Sequence, residues 1–269
     1  MEKMKVTILG ARGSVPVSGA KYARYGGATA CVLLETASDI MILDAGSGIL
    51  NLPQHIWKKH KKIHLFLSHF HMDHLMGIPM SPMMYDKDAE IIFYAADGDA
   101  VHEALKQMMK EPLWAIGTDA FLAKTDYRSV SKEPCQIAEN RITVKTMSTP
   151  HPGGSLAYRL EWEGKSVVYA TDCELDEQVS REMEYFAQDA QLFILDAQYT
   201  QDEYENCKGY GHTYMERSAL VIAGSDAKKG LLFHHAPTHT DEQLVEMERQ
   251  LQQKWNQVTF AKEGDIIIL

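Results

Sequence analysis

The segment Leu67-Ser-His-Phe-His-Met-Asp-His-Leu-Met-Gly77 is the densest group of metal-ligand side chains in the sequence. It contains His69, His71, Asp73 and His74. Imidazole nitrogens and carboxylate oxygens are ordinary ligands of zinc, iron and manganese. In an extended strand end, residues two apart point the same way, so His69 and His71 can converge on one ion, and a tight turn can present Asp73 and His74 to another. We therefore predict that this short loop binds two divalent metal ions.

Three more residues of the same kind follow other predicted strands far along the chain: His151, Asp172 and His235. Two ions a few ångströms apart need about six to eight ligand atoms and a shared carboxylate, and these residues complete such a set. Asp172 is the natural bridge between the ions. His234 and His235 would point to opposite faces of a strand, so spacing alone does not choose between them.

The elements that must position these residues are short β-rich runs with amphipathic helices between some of them. Eleven runs predict strands: 6–9, 30–35, 40–43, 63–67, 90–94, 142–146, 156–162, 166–169, 192–195, 231–233 and 266–269. Four patterns predict helices, at 98–109, 176–187, 214–225 and 240–255, the last with Thr240 as its cap and Gln243 three residues later. No Pro/Gly/Ser-rich linker divides the chain, so we predict a mixed α/β protein with one domain spanning residues 1–269.

Composition restricts the class of protein and its partners. The apolar share of 45% and the charged share of 24% are those of ordinary globular proteins. The formal net charge of −10 argues against binding of long nucleic acids and favours small substrates. The apolar run before Gly10 is too short for a signal peptide or a membrane span, so we expect a cytoplasmic protein without membrane contact. The four cysteines show no paired spacing and are expected to be reduced thiols.

The pattern His-x-His-x-Asp-His, followed by a distant histidine, aspartate and histidine, resembles the metallo-β-lactamase superfamily along the whole chain. The resemblance implies an αββα sandwich of two mixed β-sheets flanked by helices. It also implies two divalent metal ions, with zinc expected first and manganese or iron as alternatives. The implied ligands are His69, His71 and His151 for one ion, Asp73, His74 and His235 for the other, and Asp172 as the bridge.

Within the superfamily, the chain is most similar to the phosphodiesterase branch. That branch includes the tRNA 3′-processing endonuclease, cyclic phosphodiesterases of phosphonate metabolism and cyclic-nucleotide phosphodiesterases. The stretches that carry this similarity are Leu9-Gly-Ala-Arg-Gly-Ser14, Tyr25-Gly-Gly27, Leu43-Asp-Ala-Gly-Ser-Gly48, Leu195-Asp-Ala-Gln-Tyr199, Gly211-His-Thr-Tyr-Met-Glu-Arg-Ser-Ala219 and Phe233-His-His-Ala236.

By this resemblance, His212 is a proton donor to the leaving oxygen, and Asp196 orients it and supports its charge. A carboxylate partner favours the imidazolium form that a general acid needs near neutrality. Asp73 would accept or orient the proton of the attacking water. The alternative for His212 is a cap on the helix that follows. The sequence lacks the long glycine- and proline-marked arm of the tRNA-processing enzymes, so the expected substrate is a small or cyclic phosphodiester such as a cyclic nucleotide. Relatives in this branch suggest a homodimer.

Two other functions remain open. The same metal ligands suit hydrolysis of a thioester or lactone, although a good leaving group there needs no Asp196–His212 pair. A diiron redox or sensory module is the third possibility.

Some residues also keep two interpretations. The region 82–134 forms a wall or lid over the site, or an insertion that only packs. His239 supports a metal ligand or merely precedes the last helix. We expect the histidines outside the motifs to lie on the surface: His55, His60, His64 and His102.

Overall fold

The computed structural model describes residues 3–60 and 62–269, and two β-sheets form its centre. In the described part of the chain each sheet has seven strands. The first runs in the spatial order β14–β1–β2–β3–β4–β5–β6. Its strands are β1 (Lys5–Gly10), β2 (Cys31–Glu35), β3 (Ile40–Leu43), β4 (Lys62–Phe66), β5 (Glu90–Ala95), β6 (Lys124–Ser129) and β14 (Ile266–Ile268). Strands β3 to β6 are parallel to one another, and the remaining pairs are antiparallel.

The second sheet has the order β13–β12–β11–β10–β9–β8–β7. Its strands are β7 (Cys135–Ile137), β8 (Ile142–Thr149), β9 (Ser155–Trp162), β10 (Lys165–Ala170), β11 (Leu192–Asp196), β12 (Gly230–Phe233) and β13 (Val258–Phe260). Strands β10 to β13 are parallel, and the pairs that join β7 to β10 are antiparallel. Both sheets are therefore mixed.

The helices are α1 (Gln54–His60), α2 (Met72–Leu75), α3 (Gly98–Met108), α4 (Glu177–Phe186), α5 (Gln201–Tyr204), α6 (Met215–Gly224) and α7 (Asp241–Gln252). Helices α1 and α3 cover the outer face of the first sheet, and α4, α6 and α7 cover that of the second. Short 3-10 turns occupy Ala20–Tyr22, Ser47–Asn51, Ile78–Met80, Pro82–Tyr85 and Thr118–Ala120. Helix α7 begins as predicted, because Thr240 and Gln243 form a reciprocal capping box.

Alternation along the strands builds the four layers. In β2, Val32 and Leu34 enter the apolar core between the two sheets. Cys31 and Leu33 point the other way, into the apolar cluster beneath α1 and α3. A third cluster lies between the second sheet and α4, α6 and α7. Strands covered on both faces are apolar at nearly every position, which explains why they were visible in the sequence. The predicted αββα sandwich is confirmed.

The eleven predicted strands and four predicted helices are all present, with ends shifted by a few residues. Three strands were missed: β6, β7 and β13. Each lies at an edge of its sheet. These three edge strands are short or partly exposed and lack the continuous apolar signal of central strands, whereas the fourth edge strand, β14, keeps it in Ile266–Ile268.

The region 82–134 contributes mainly to packing. It supplies β5, α3 and β6, and Met83 and Met84 are fully buried in the cluster beneath α1 and α3. Trp114 packs against the same cluster, whereas neighbouring Leu113 is 71% exposed. Across residues 3–60 and 62–269, no helix has both the length and the apolar character needed to cross a membrane.

Candidate metal centre

The candidate ligands lie where strands end, along one edge of the sandwich. His69 and α2 follow the carboxyl end of β4, and His151 follows β8. Asp172 follows β10 at the same edge. Because β10, β11 and β12 are parallel and β8 runs in the same direction, their carboxyl ends meet here. Loops at the carboxyl ends of strands are the usual place for ligand sites in α/β sheets.

Asp172 lies between two groups of histidines, with one carboxylate oxygen directed to each. Its Oδ2 is 3.6 Å from His69 Nε2 and 3.7 Å from His151 Nε2. Its Oδ1 is 3.3 Å from His74 Nε2 and 3.2 Å from His234 Nε2. This arrangement is the one that a carboxylate bridging two cations requires.

The first group combines His69, His71, His151 and Asp172, whose ligand atoms lie within 4.8 Å of one another. His151 Nε2 and His71 Nδ1 are 3.0 Å apart. Two ring nitrogens at that distance need a proton or a cation between them, because their lone pairs otherwise repel. His151 is oriented by its Nδ1, which donates to the carbonyl of Gly211 at 2.9 Å.

The second group combines Asp73, His74 and His234 within the same limit. Asp73 Oδ2 is 3.2 Å from His74 Nε2 and 3.1 Å from His234 Nε2. It also accepts a hydrogen bond from the backbone N–H of Ser14 at 2.8 Å. Burial disfavours the ionised carboxylate, but His74 and His234 hold the pKa of Asp73 well below its ordinary value.

His234, and not His235, faces the cluster, which corrects the ligand inferred from the resemblance. Strand β12 ends at Phe233, and His234 has a left-handed backbone with φ 64°. The alternation of an extended strand therefore does not continue through this pair. The Nε2 of His235 donates to the carbonyl of Ala261 at 2.8 Å. Its ring packs edge-on against Phe260 with centroids 5.2 Å apart, inside the fold.

A glycine allows the backbone to approach His234. A Cβ placed on Gly13 would overlap the imidazole ring of His234. The neighbouring Gln198 accepts a hydrogen bond from His234 Nδ1 at 2.9 Å, which leaves Nε2 directed at the carboxylates. Gln198 was present in the motif Leu195-Asp-Ala-Gln-Tyr199, but no local pattern there assigns it this contact.

Asp44 is a second residue whose contact with the site was missed. Its Oδ2 accepts hydrogen bonds from His74 Nδ1, from the hydroxyl of Ser68 and from the hydroxyl of Tyr169, each at 2.8 Å. Its Oδ1 accepts from the backbone N–H of Ser68. Asp44 thus orients His74 and fixes the start of the ligand loop. The sequence feature that could have identified Asp44 is its position in the motif Leu43-Asp-Ala-Gly-Ser-Gly48.

The chemistry of these atoms fits bound cations. The buried Nε2 atoms of His69 and His74 have no hydrogen-bond partner among the described residues. Burial and the neighbouring histidines lower the pKa of His69, whereas Asp172, Asp44 and Asp73 overcome burial and raise the pKa of His74 well above its ordinary value. Buried carboxylates without compensating charge are costly, and a divalent ion would supply that charge.

His212 and Asp196 form the predicted pair beside the cluster. Asp196 Oδ2 accepts from His212 Nδ1 at 2.9 Å, and Asp196 Oδ1 accepts from the backbone N–H of Thr213 at 3.0 Å. The ring of His212 stacks on His234 with centroids 4.9 Å apart. Burial lowers the pKa of His212, but Asp196 and then Asp172 outweigh it and raise the pKa to about 8. Asp196 and His212 also form a compact group with Asp172 and His234.

The remaining histidines lie apart from the cluster. His239 Nε2 is 2.9 Å from Glu203 Oε1, and its carbonyl accepts from Arg12 Nη1 at 2.7 Å, so it fixes the chain just before α7. His64 was expected on the surface, but it is only 3% exposed and bonds the hydroxyl of Tyr94. That expectation was wrong because a histidine within a central strand is covered from both sides.

Comparison with known proteins agrees with this geometry. Residues 40–235 match the family model of the beta-lactamase superfamily domain. The chain belongs to the metallo-β-lactamase superfamily. The resemblance noted in the sequence, including its proximity to the phosphodiesterase and tRNase Z branch, is thereby confirmed.

Three similar proteins show the range of this superfamily around the chain. The probable metallo-hydrolase YhfI of Bacillus subtilis (strain 168) is 23% identical over 274 residues, which cover 97% of this chain and 98% of the relative. Its crystal structure superposes with a TM-score of 0.77 at 20% identity and covers 100% of both chains. Ribonuclease Z of Lactiplantibacillus plantarum is 22% identical over 89% of this chain and 91% of its own. The structure described as a new diphosphatase from the PhnP family has a TM-score of 0.72 at 16% identity and covers 100% of this chain and 98% of its own.

Proposed function

We propose that the protein is a dinuclear metal-dependent hydrolase that cleaves a small or cyclic phosphodiester. The observation that carries the proposal is the position of Asp172 between two histidine groups, with the Asp196–His212 pair beside them. One similar protein is named a probable metallo-hydrolase, and two others are named a ribonuclease and a diphosphatase. These names favour phosphoryl chemistry over attack on a thioester or lactone.

The proposed ligands follow from the two groups. His69, His71 and His151 would hold one ion, Asp73, His74 and His234 the other, and Asp172 would contact both. Zinc is the expected ion, with manganese and iron as alternatives, because imidazole and carboxylate suit all three. When bound, such ions polarise phosphoryl oxygens and lower the pKa of water.

The protein's own groups account for the proton transfers. Asp73, anchored by the N–H of Ser14, would orient the attacking water, whereas its lowered pKa makes it a weak acceptor for the proton of that water. His212 uses Nδ1 to bond Asp196, so its Nε2 carries the proton that is free for transfer. The raised pKa of about 8 keeps His212 protonated near neutrality, as protonation of a departing alkoxide requires.

The test is hydrolysis of bis(p-nitrophenyl) phosphate by purified protein, with metal content measured on the same sample. We expect turnover that a chelator abolishes and that added zinc or manganese restores. His212→Ala should change kcat little for this ester, because p-nitrophenolate leaves without being protonated. For a cyclic nucleotide, whose leaving group is an alkoxide, it should reduce kcat by about 100-fold, in the range typical of general acid–base catalysis, while the metal content stays unchanged. His55→Ala, at an exposed position, is the matched control. If the protein bound two ions per chain but hydrolysed only thioesters or lactones, the proposed phosphodiesterase activity would be rejected and the site would be assigned to carbonyl substrates.

A further inference from the structure

A cavity of about 390 Å³ lies beside the metal centre. Its wall consists of residues 68–71, 95–96, 148–149 and 152–156. It includes His69 and His71, so whatever occupies it lies next to the first group of ligands. The size is within the range of sites for small organic molecules.

The wall carries no lysine, arginine, aspartate or glutamate among the described residues that line the cavity. Phe70, Ala95 and Leu156 supply apolar surface. The hydroxyl of Ser68 is already used, since it donates to Asp44 at 2.8 Å. The buried hydroxyl of Ser155 has no hydrogen-bond partner in residues 3–60 and 62–269. A charged group in this cavity, beyond the atoms that contact the bound ions, would therefore lose hydration without meeting an opposite charge from the wall.

The place of the cavity relative to His212 indicates which part of a substrate it takes. The wall includes His69 and His71 but not His212, the proposed proton donor to the leaving oxygen. The leaving group must lie within reach of His212. The cavity then accommodates the substituent that stays on phosphorus.

We infer that this cavity is the specificity pocket of the enzyme, and that it selects phosphodiesters whose retained substituent is uncharged and mainly apolar, such as an aryl or nucleoside group. This inference rests on the proposed function. It excludes substrates in which that substituent carries a second phosphate, a carboxylate or an ammonium group, because the wall offers no counter-charge. Ala96 is one of the exposed residues at the rim of the cavity, and its neighbour Ala95 is buried.

The experiment uses the metal-loaded enzyme and three diesters with the same p-nitrophenolate leaving group. Their retained substituents are 4-tert-butylphenyl, 4-carboxyphenyl and 4-(trimethylammonio)phenyl; the tert-butyl and trimethylammonio groups have the same shape and differ in charge. We expect kcat/KM for the tert-butylphenyl ester to exceed that of each charged ester by about tenfold or more. Equal kcat/KM for all three esters would overturn the pocket assignment but leave the phosphodiesterase intact. No hydrolysis of any of them would reject the proposed function itself.

A charge placed in the wall sharpens the test. Ala96→Glu should raise kcat/KM for the trimethylammonio ester relative to the carboxyphenyl ester by about tenfold, because the new carboxylate attracts one substituent and repels the other. Ala96→Gln has the same size without the charge and should leave this ratio unchanged. Ala37→Glu makes the same substitution in the exposed turn between β2 and β3, at the end of these strands away from the ligands, and should also leave it unchanged. An equal shift in Ala96→Glu and Ala37→Glu would show that the substituent does not lie in this cavity.

Discussion

Two buried histidine regions lie within strand β4 and beyond its end, and they differ in how their nitrogens are satisfied. In the middle of the strand, His64 Nδ1 lies 2.9 Å from the hydroxyl of Tyr94, and the two rings stack. Beyond its end, the buried Nε2 atoms of His69 and His74 face the carboxylate of Asp172 without a hydrogen bond. In the first region, another side chain of the protein satisfies the histidine nitrogen. The second would be completed by a cation. An unpaired nitrogen alone does not identify a metal site, because the buried Nδ1 of His235 also lacks a partner among the described residues; what distinguishes His69 and His74 is that their unpaired nitrogens face one shared carboxylate.

The largest expected effect is loss of the carboxylate shared by both metal groups. Asp172→Ala should lower the bound metal below two ions per chain and reduce diester hydrolysis by at least about 1,000-fold, because both ions lose a ligand. Elemental analysis of the purified variant and its kcat measure this. Asp119→Ala, at an exposed site, is the control. Full metal content in Asp172→Ala would show that the carboxylate does not join the two groups.

The adjacent histidines of the Phe233-His-His-Ala236 motif provide a sharper comparison. His234→Ala should reduce metal content and lower activity by about 100-fold, since one ligand is lost. His235→Ala should keep its metal but destabilise the fold by about 1–3 kcal/mol, because the carbonyl of Ala261 is left buried without its donor. Metal analysis and urea unfolding separate the two effects. The reverse pattern would restore His235 as the ligand.

A smaller effect is expected from the residue that orients His234. Gln198→Leu removes the acceptor for His234 Nδ1 and should weaken metal binding by about 10-fold or more. Gln198→Glu keeps an acceptor oxygen and should lose less. Competition with a chromophoric chelator measures the affinity, and the exposed substitution Gln188→Leu is the control. Equal affinity in the wild type and Gln198→Leu would mean that packing alone orients the His234 ring.

The smallest effect concerns His64, in the middle of β4. Burial lowers the pKa of His64 to about 4, below the value of 6.5 that applies to the unfolded chain. The unfolded state therefore takes up a proton that the folded state refuses, and stability falls as the pH drops from above 6.5 towards 4. Between pH 7.5 and pH 5, wild type should lose roughly 1–2 kcal/mol more than His64→Gln in urea unfolding. Parallel losses in the two proteins would show that His64 is not held neutral by the fold.

The sequence identified those parts of the fold that local patterns determine. Strands covered on both faces are continuously apolar, so every central strand was recognised, and helix α7 was recognised from the pairing of Thr240 with Gln243. The missed strands β6, β7 and β13 lie at sheet edges, where each strand pairs with only one neighbour and its sequence carries no continuous apolar run. Strand β6, from Lys124 to Ser129, is partly exposed throughout.

The sequence by itself also determined that a metal-ligand loop exists, because His69, His71, Asp73 and His74 are crowded into one short segment. Only the tertiary structure decided which distant residues join it. The left-handed backbone at His234 turns that residue, rather than its neighbour, towards the ligands. Likewise, the contact of Asp44 with His74 and the uncharged wall of the cavity depend on strands that are remote in sequence and meet only at one edge of the sandwich. The spacing of residues along the chain predicts only the local direction of their side chains. A metal centre and its pocket are formed by residues that are distant in sequence and meet in the folded structure.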